Sequence, residues 1–206
     1  MTYIWINPVT AKMYRPEVLH DFLDSHGYKR LETSTDWLTI VKEKYRTAVS
    51  QSPNTVMDVR CPKIKDMLDE MGIQKYTVPD INPILIHCGQ EVSEREDLLE
   101  EEKIITTPCQ ALADMGNALA LRNTRFVSWR RFLEQLGEEP AGILPKESPI
   151  PLGFFTELGL HTVSLSGEEE IRKYFANGIP GEVQLIEMLF CKDGCHNGDG
   201  IRVCKS

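Results

Sequence analysis

The sequence predicts an α/β protein, a compact sheet with parallel character flanked by helices, whose ligand site lies at the carboxyl ends of the strands. Three observations carry this expectation. Short apolar runs alternate with stretches of helical periodicity from about residue 55 onward, as strands and crossover helices do in parallel sheets. Apolar residues make up 41% of the 206 positions, enough for a proper core. Several of the apolar runs end at a cysteine, and open α/β sheets gather ligands at strand ends.

The first helix is expected from Pro16, with Val18, Leu19, Phe22 and Leu23 as its apolar stripe and Gly27 as its stop. A second is expected from about Asp36 to Tyr45, with Leu38, Val41 and Tyr45 on one face. Residues 50–54 read as a loop, so residues 1–50 are taken as an N-terminal helical segment and 51–206 as the α/β domain.

Within that domain, Thr55 to Val59 is the first strand and runs into Arg60-Cys61-Pro62. The helix after it carries Ile64, Met67, Leu68 and Met71 and ends at Gly72. Lys103 to Thr107 is a strand leading to Pro108-Cys109, followed by a helix from about Gln110 to Leu121. Arg125 to Val127 is a short strand, and Ser128 is a candidate N-cap for a helix bearing Trp129, Phe132, Leu133 and Leu136. Residues 138–153, with four prolines and two glycines, are an irregular connection. His161 to Leu165 is a strand, and Ser166 with Glu169 suggests a capping box for a helix reaching Ala176. Glu182 to Phe190 reads as a buried strand ending at Cys191.

The formal net charge of −8 argues against nucleic acid and against an anionic membrane surface as partners, since both call for a basic face. The opening Met-Thr-Tyr-Ile-Trp-Ile-Asn-Pro lacks the basic start and apolar run of a secretory signal. No stretch approaches the roughly 20 apolar residues of a membrane span. The expected location is therefore cytoplasmic, where thiols stay reduced and clustered cysteines mean metal or catalysis more often than disulfides.

Six cysteines stand at 61, 88, 109, 191, 195 and 204. Cys61, Cys109 and Cys191 each follow an expected strand, and Cys195 shares a loop with Cys191. That loop, residues 191–200, has three glycines, which let a backbone fold tightly and aim N–H groups at an anionic group. Four thiolates can hold a 4Fe–4S cluster or a structural zinc, and spacing alone leaves both open. Cys88 and Cys204 read as inert small residues.

The stretch Glu187-Met-Leu-Phe-Cys191-Lys-Asp-Gly-Cys195-His-Asn-Gly-Asp-Gly200 resembles the signature loop of the iron-only (di-iron) hydrogenases, in the C-terminal domain of their large subunit. Arg60-Cys61-Pro62 is similar to that family's first Cys-Pro motif, and Pro108-Cys109-Gln-Ala111 to its Pro-Cys-x-Ala motif, in the same order. Phe126 to Leu133 and Val163 to Gly167 resemble its intervening strand and helix segments. The resemblance covers about residues 54–201. It implies that Cys61, Cys109, Cys191 and Cys195 ligate one 4Fe–4S cluster.

The same resemblance implies that the di-iron pocket is gone. Arg60 stands where the family has a proton-relaying cysteine, Leu112 where it has a lysine, and Leu189 where it has a methionine. Ile201 follows the glycine loop in place of the usual glutamine, and the Gly-Gly-Val segment expected after Pro151-Leu-Gly-Phe154 is missing. An active hydrogenase is therefore not expected. The expected function is electron transfer, sensing or cluster delivery, with a redox or cluster-transfer protein as partner. The alternatives are an enzyme using an open cluster iron as Lewis acid or redox centre, and a structural zinc protein with an interaction role.

Other chemistry-bearing residues have ordinary explanations beside the functional ones. His196 could tune the cluster or be a solvated loop residue. Asp193 and Asp199 could lower a cluster potential or simply face solvent. Residues 91–103, with seven acids and two basic residues, could dock a basic partner or be a solvated helix face. Asp58 and Glu187, in apolar strand contexts, could work as acid or base, with capping or ion pairing the commoner use.

Overall fold

The computed structural model describes residues 1–139, 142–176, 178–179 and 181–201; Cys204 lies outside them. In chain order the elements are β1 (Thr2–Trp5), α1 (Pro8–Met13), α2 (Pro16–Ser25), β2 (Tyr28–Leu31), α3 (Trp37–Gln51), β3 (Thr55–Met57), α4 (Pro62–Met71), β4 (Tyr76–Thr77) and α5 (Ile84–Glu94). There follow β5 (Glu102–Thr107), α6 (Gln110–Asn117), β6 (Thr124–Ser128), α7 (Trp129–Leu136), β7 (Thr162–Ser166), α8 (Glu168–Phe175) and β8 (Leu185–Leu189), with short 3-10 turns at Glu96–Leu98, Thr156–Leu158 and Cys195–Asn197. The fold is α/β, with two four-stranded, all-parallel sheets flanked by helices.

Each sheet belongs to its own compact unit. Among the described residues the first comprises those within 1–35, 85–150 and 195–201, and the second those within 36–84 and 151–194. This division differs from a helical segment ending at residue 50. Residues 1–35 supply two strands, β1 and β2, as well as α1 and α2. Thr-Tyr-Ile-Trp in β1 is a β-branched and aromatic run, but four residues are too few to show a period. Its Ile4 and Trp5 are buried because β1 is an inner strand.

In the first unit the strand order is β2-β1-β5-β6. Its core gathers Ile4, Leu19, Leu23, Ile104, Trp129 and Phe132, among others. Helix α5 was not expected from the sequence, because an interior glycine, Gly89, and the buried polar residues His87 and Ser93 blur its apolar face. Gly89 and Gly116 instead mark a close approach. A Cβ at Gly116 would lie 2.3 Å from the Phe126 ring, and one at Gly89 would lie 2.4 Å from it. Alanine ordinarily stabilises a helix over glycine by about 1 kcal/mol, but here the buried ring has nowhere to go. Gly116→Ala is therefore expected to destabilise the protein by about 1–3 kcal/mol, visible as an earlier urea unfolding midpoint.

The run of acids at 91–103 is not one helix face. It crosses the end of α5, a 3-10 turn and the start of β5. Lys103 is fully buried, and its Nζ donates to the carbonyls of Leu98 at 2.7 Å and Glu101 at 2.8 Å.

The second unit has strand order β4-β3-β8-β7. Asp36 caps α3, accepting from the Thr39 N–H at 3.1 Å, and the helix runs on to Gln51. Every residue of β8 is buried, as an inner parallel strand requires. The expected capping box at Ser166 and Glu169 does not form. Gly167 occupies the N-cap of α8 at φ +88°, and the Ser166 hydroxyl accepts instead from the Asp193 N–H at 3.1 Å. The loop after β8 has taken the acceptor the helix would have used. Among the described residues no helix is long and apolar enough to cross a membrane.

Candidate metal centre

In the second unit the chain runs from β3 to its outer neighbour β4, then returns on the far side through β7 and β8. The order therefore switches direction between the inner strands β3 and β8, and such switch points are where open α/β sheets open a crevice for ligands. Cys61 follows β3 and Cys191 follows β8, so the two cysteines leave the strands on either side of that point.

Cys61 is the N-cap of α4, with Pro62 in the first turn. Its side chain makes no capping hydrogen bond, and the Ile64 N–H donates instead to the Cys61 carbonyl at 3.0 Å; the backbone N–H groups of Phe190, Ile64 and Lys63 lie near enough to the sulfur to favour its anionic form. Burial pushes the Cys61 thiol up, and these three donors pull it back only in part. A bound cation would reverse that balance, because a coordinating thiol is deprotonated outright.

Behind Cys61 lies a buried polar network. Arg60 grips Asp58 with two hydrogen bonds, Nε to Oδ1 at 2.8 Å and an Nη to Oδ2 at 2.7 Å. Asp58 Oδ1 also accepts from the Arg60 main-chain N–H at 3.1 Å and from the Tyr45 hydroxyl at 2.8 Å. The guanidinium lies over the rings of Phe154, Phe155 and Tyr45, at 4.1, 4.9 and 5.4 Å from their centroids. Burial alone would lower the Arg60 pKa, but the Asp58 charge and hydrogen bonds outweigh it and hold the group charged. Glu187, only 1% exposed like Asp58, accepts from the N–H groups of Gly153 and Phe154 at 2.7 and 3.1 Å and from the Ser164 hydroxyl at 2.7 Å. Both carboxylates are thus spent on ion pairing and backbone support.

In the first unit Cys109 follows the inner strand β5 as the N-cap of α6. The end of the glycine loop folds onto it. The Gly200 N–H donates to the Pro108 carbonyl at 3.1 Å, and the Gly200 carbonyl accepts from the Arg130 N–H at 2.8 Å. Asp199 is not a solvent-facing acid: its Oδ1 accepts from the Gln110 N–H at 2.9 Å, which caps α6 in place of the Cys109 side chain. Only glycine fits two of these positions. A Cβ at Gly198 would lie 2.4 Å from the Pro108 carbonyl oxygen and 3.1 Å from that of Cys195, and one at Gly200 would lie 2.9 Å from the backbone of Cys109. The loop that begins at Cys195 therefore closes on the Pro108-Cys109 corner.

The expected ligands are thus delivered as two pairs, Cys61 with Cys191 in one unit and Cys109 with Cys195 in the other. All four are half-buried thiols. Among the described residues no group of three or more His, Cys, Asp or Glu side chains is gathered as a metal-ion site. Each unit supplies two soft sulfur donors near inner-strand ends, with glycines that permit close loop approach, half of the four thiolates that a 4Fe–4S cluster or a structural zinc takes.

Cys88 is apart from these, 3% exposed in α5, its thiol pushed up to about 11 by burial against a hydrogen bond from Thr33. His196 is not a solvated loop residue. It is 6% exposed, and its Nδ1 is buried without a hydrogen-bond partner among the described residues. Ser128 stands at the N-cap of α7 without capping it, its hydroxyl facing Gln110 Oε1 at 3.4 Å. The Asp58–Arg60–Tyr45 network escaped sequence reasoning. Its one visible signal was an acid two residues before an arginine at a strand end. Comparisons with protein families, with curated proteins and with solved structures each gave no match.

Proposed function

We propose that this chain binds one 4Fe–4S cluster through Cys61, Cys109, Cys191 and Cys195 and serves electron transfer, sensing or cluster delivery without hydrogenase activity. The observation that carries the reading is the placement of Cys61 and Cys191 after the two inner strands at one sheet's switch point, with backbone N–H groups near the Cys61 sulfur. Donors to a sulfur favour its anionic, metal-bound form and tune the bound metal. The resemblance of the cysteine motifs points the same way. A cluster of this type supplies a one-electron redox centre. The protein's part is to hold four thiolates, aim N–H groups at them and limit water.

Arg60 supports the absence of hydrogen chemistry on physical grounds. Its guanidinium is held by Asp58 and stacked on Phe154, so it has no proton to exchange near neutral pH. A reducing, cytoplasmic setting suits half-buried cluster thiolates, and the partner fitting this role is a redox or cluster-transfer protein. Protein purified without oxygen is expected to be brown and to hold about four irons per chain. Colourless protein carrying one zinc would sink the reading, and hydrogen evolution with a strong reductant would overturn the claim that di-iron chemistry is gone.

A further inference from the structure

We infer that Arg60 and Asp58 form a positioning device for the Cys61 thiol, setting how firmly that one ligand is held. The inference rests on Cys61 being a ligand, as proposed above. A buried ion pair is a poor source of stability, since well-packed apolar residues of like volume do as well or better. What this pair supplies is a fixed backbone. One carboxylate oxygen, Asp58 Oδ1, binds the Arg60 main-chain N–H, the Arg60 side chain and the Tyr45 hydroxyl at once. The two residues between Asp58 and Cys61 are therefore folded around a single acceptor. The guanidinium is clamped in turn by the Phe154 and Phe155 rings, and Glu187 holds the Phe154 backbone. This fixes the backbone that leads from β3 into Cys61, where the Cys61 carbonyl in turn accepts from the Ile64 N–H at 3.0 Å. Lysine could supply the charge of Arg60 but not its two-pronged grip.

The full chain, assembled with iron without oxygen, is compared with Arg60→Met, Arg60→Lys, Tyr45→Phe and Val49→Ala. The last is a core truncation in the same unit that removes no polar group. Two readouts are taken: iron loss to a chelator, and the alkylation rate of Cys61 in metal-free protein, followed by mass spectrometry. Arg60→Met is expected to bind iron about tenfold to a hundredfold more weakly, as loss of an outer-shell partner does, and to expose Cys61 to faster alkylation with Cys109 unchanged. Arg60→Lys falls between it and the parent, and Val49→Ala lowers the thermal midpoint without changing either readout. If Arg60→Met matches Val49→Ala in both, the positioning role is overturned. If the parent takes up no iron, the cluster reading fails, and the alkylation rates still decide this inference. Should Arg60→Met not fold, Tyr45→Phe, which removes one hydroxyl and keeps the ion pair, decides it by the same readouts.

Discussion

Cys109→Ser is expected to lose most of its iron when assembled without oxygen, whereas Cys88→Ser keeps it. The comparison separates ligand loss from destabilisation: Cys109→Ser leaves the fold intact, whereas Cys88→Ser buries a hydroxyl in α5 and is the more destabilising of the two. Cys109 is the N-cap of α6 and makes no capping bond with its side chain. Serine is among the preferred N-cap residues, worth about 1 kcal/mol over alanine there, so the variant should be at least as stable as the parent. What it lacks is a soft thiolate, and hard oxygen ligands hold iron–sulfur clusters poorly. Cys88 is buried in α5 with its thiol near 11, a neutral packing group at neutral pH. Iron per chain, measured together with the visible absorption of the two variants, checks the assignment. Equal losses would refute the choice of ligands.

Gly198→Ala should produce the second large effect, through geometry and not ligand chemistry. The added methyl would sit 2.4 Å from the Pro108 carbonyl oxygen, a backbone atom that cannot rotate away. Either the strand end carrying Cys109 or the loop carrying Cys195 must shift. The cost to folding is about 1–3 kcal/mol, as for other overpacked sites. The cost to the metal should be larger, an iron affinity lower by about tenfold to a hundredfold, because ligand placement is disturbed directly. Urea unfolding of the metal-free protein together with iron retention tests both. A variant that retains iron like the parent would show that this corner does not govern binding. Gly116→Ala, which crowds the Phe126 ring at the opposite end of α6 from Cys109, serves as the contrast: destabilised, but with iron retention unchanged.

The sequence made the strand–cysteine–helix pattern legible because it is local. Cys61-Pro62, Pro108-Cys109 and Phe190-Cys191 each mark the point where an apolar run gives way to a turn, and all three fall just after strands. The parallel α/β class followed from the same alternation. What was hidden depended on partners remote in the chain. β1, with only four residues, was invisible until pairing with β2 and β5 buried it. The Ser166 capping box looked sound locally and lost its acceptor to Asp193, 27 residues away. Asp199 looked solvated and proved to be the cap of a helix that begins 89 residues earlier.

By itself, then, the sequence determined the residue chemistry: thiols at strand ends, glycines in the last loop, an excess of acids, and an arginine immediately before the first cysteine. Local propensity and side-chain type are written residue by residue, so these survive without any knowledge of neighbours. Only the tertiary structure decided that the strands form two four-stranded sheets in two units, with Cys61 and Cys191 assigned to one and Cys109 and Cys195 to the other. It also decided that Arg60 is spent on Asp58 and aromatic rings. Strand order and buried pairing are set by long-range burial, where the free energy of a contact depends on residues that no local window contains.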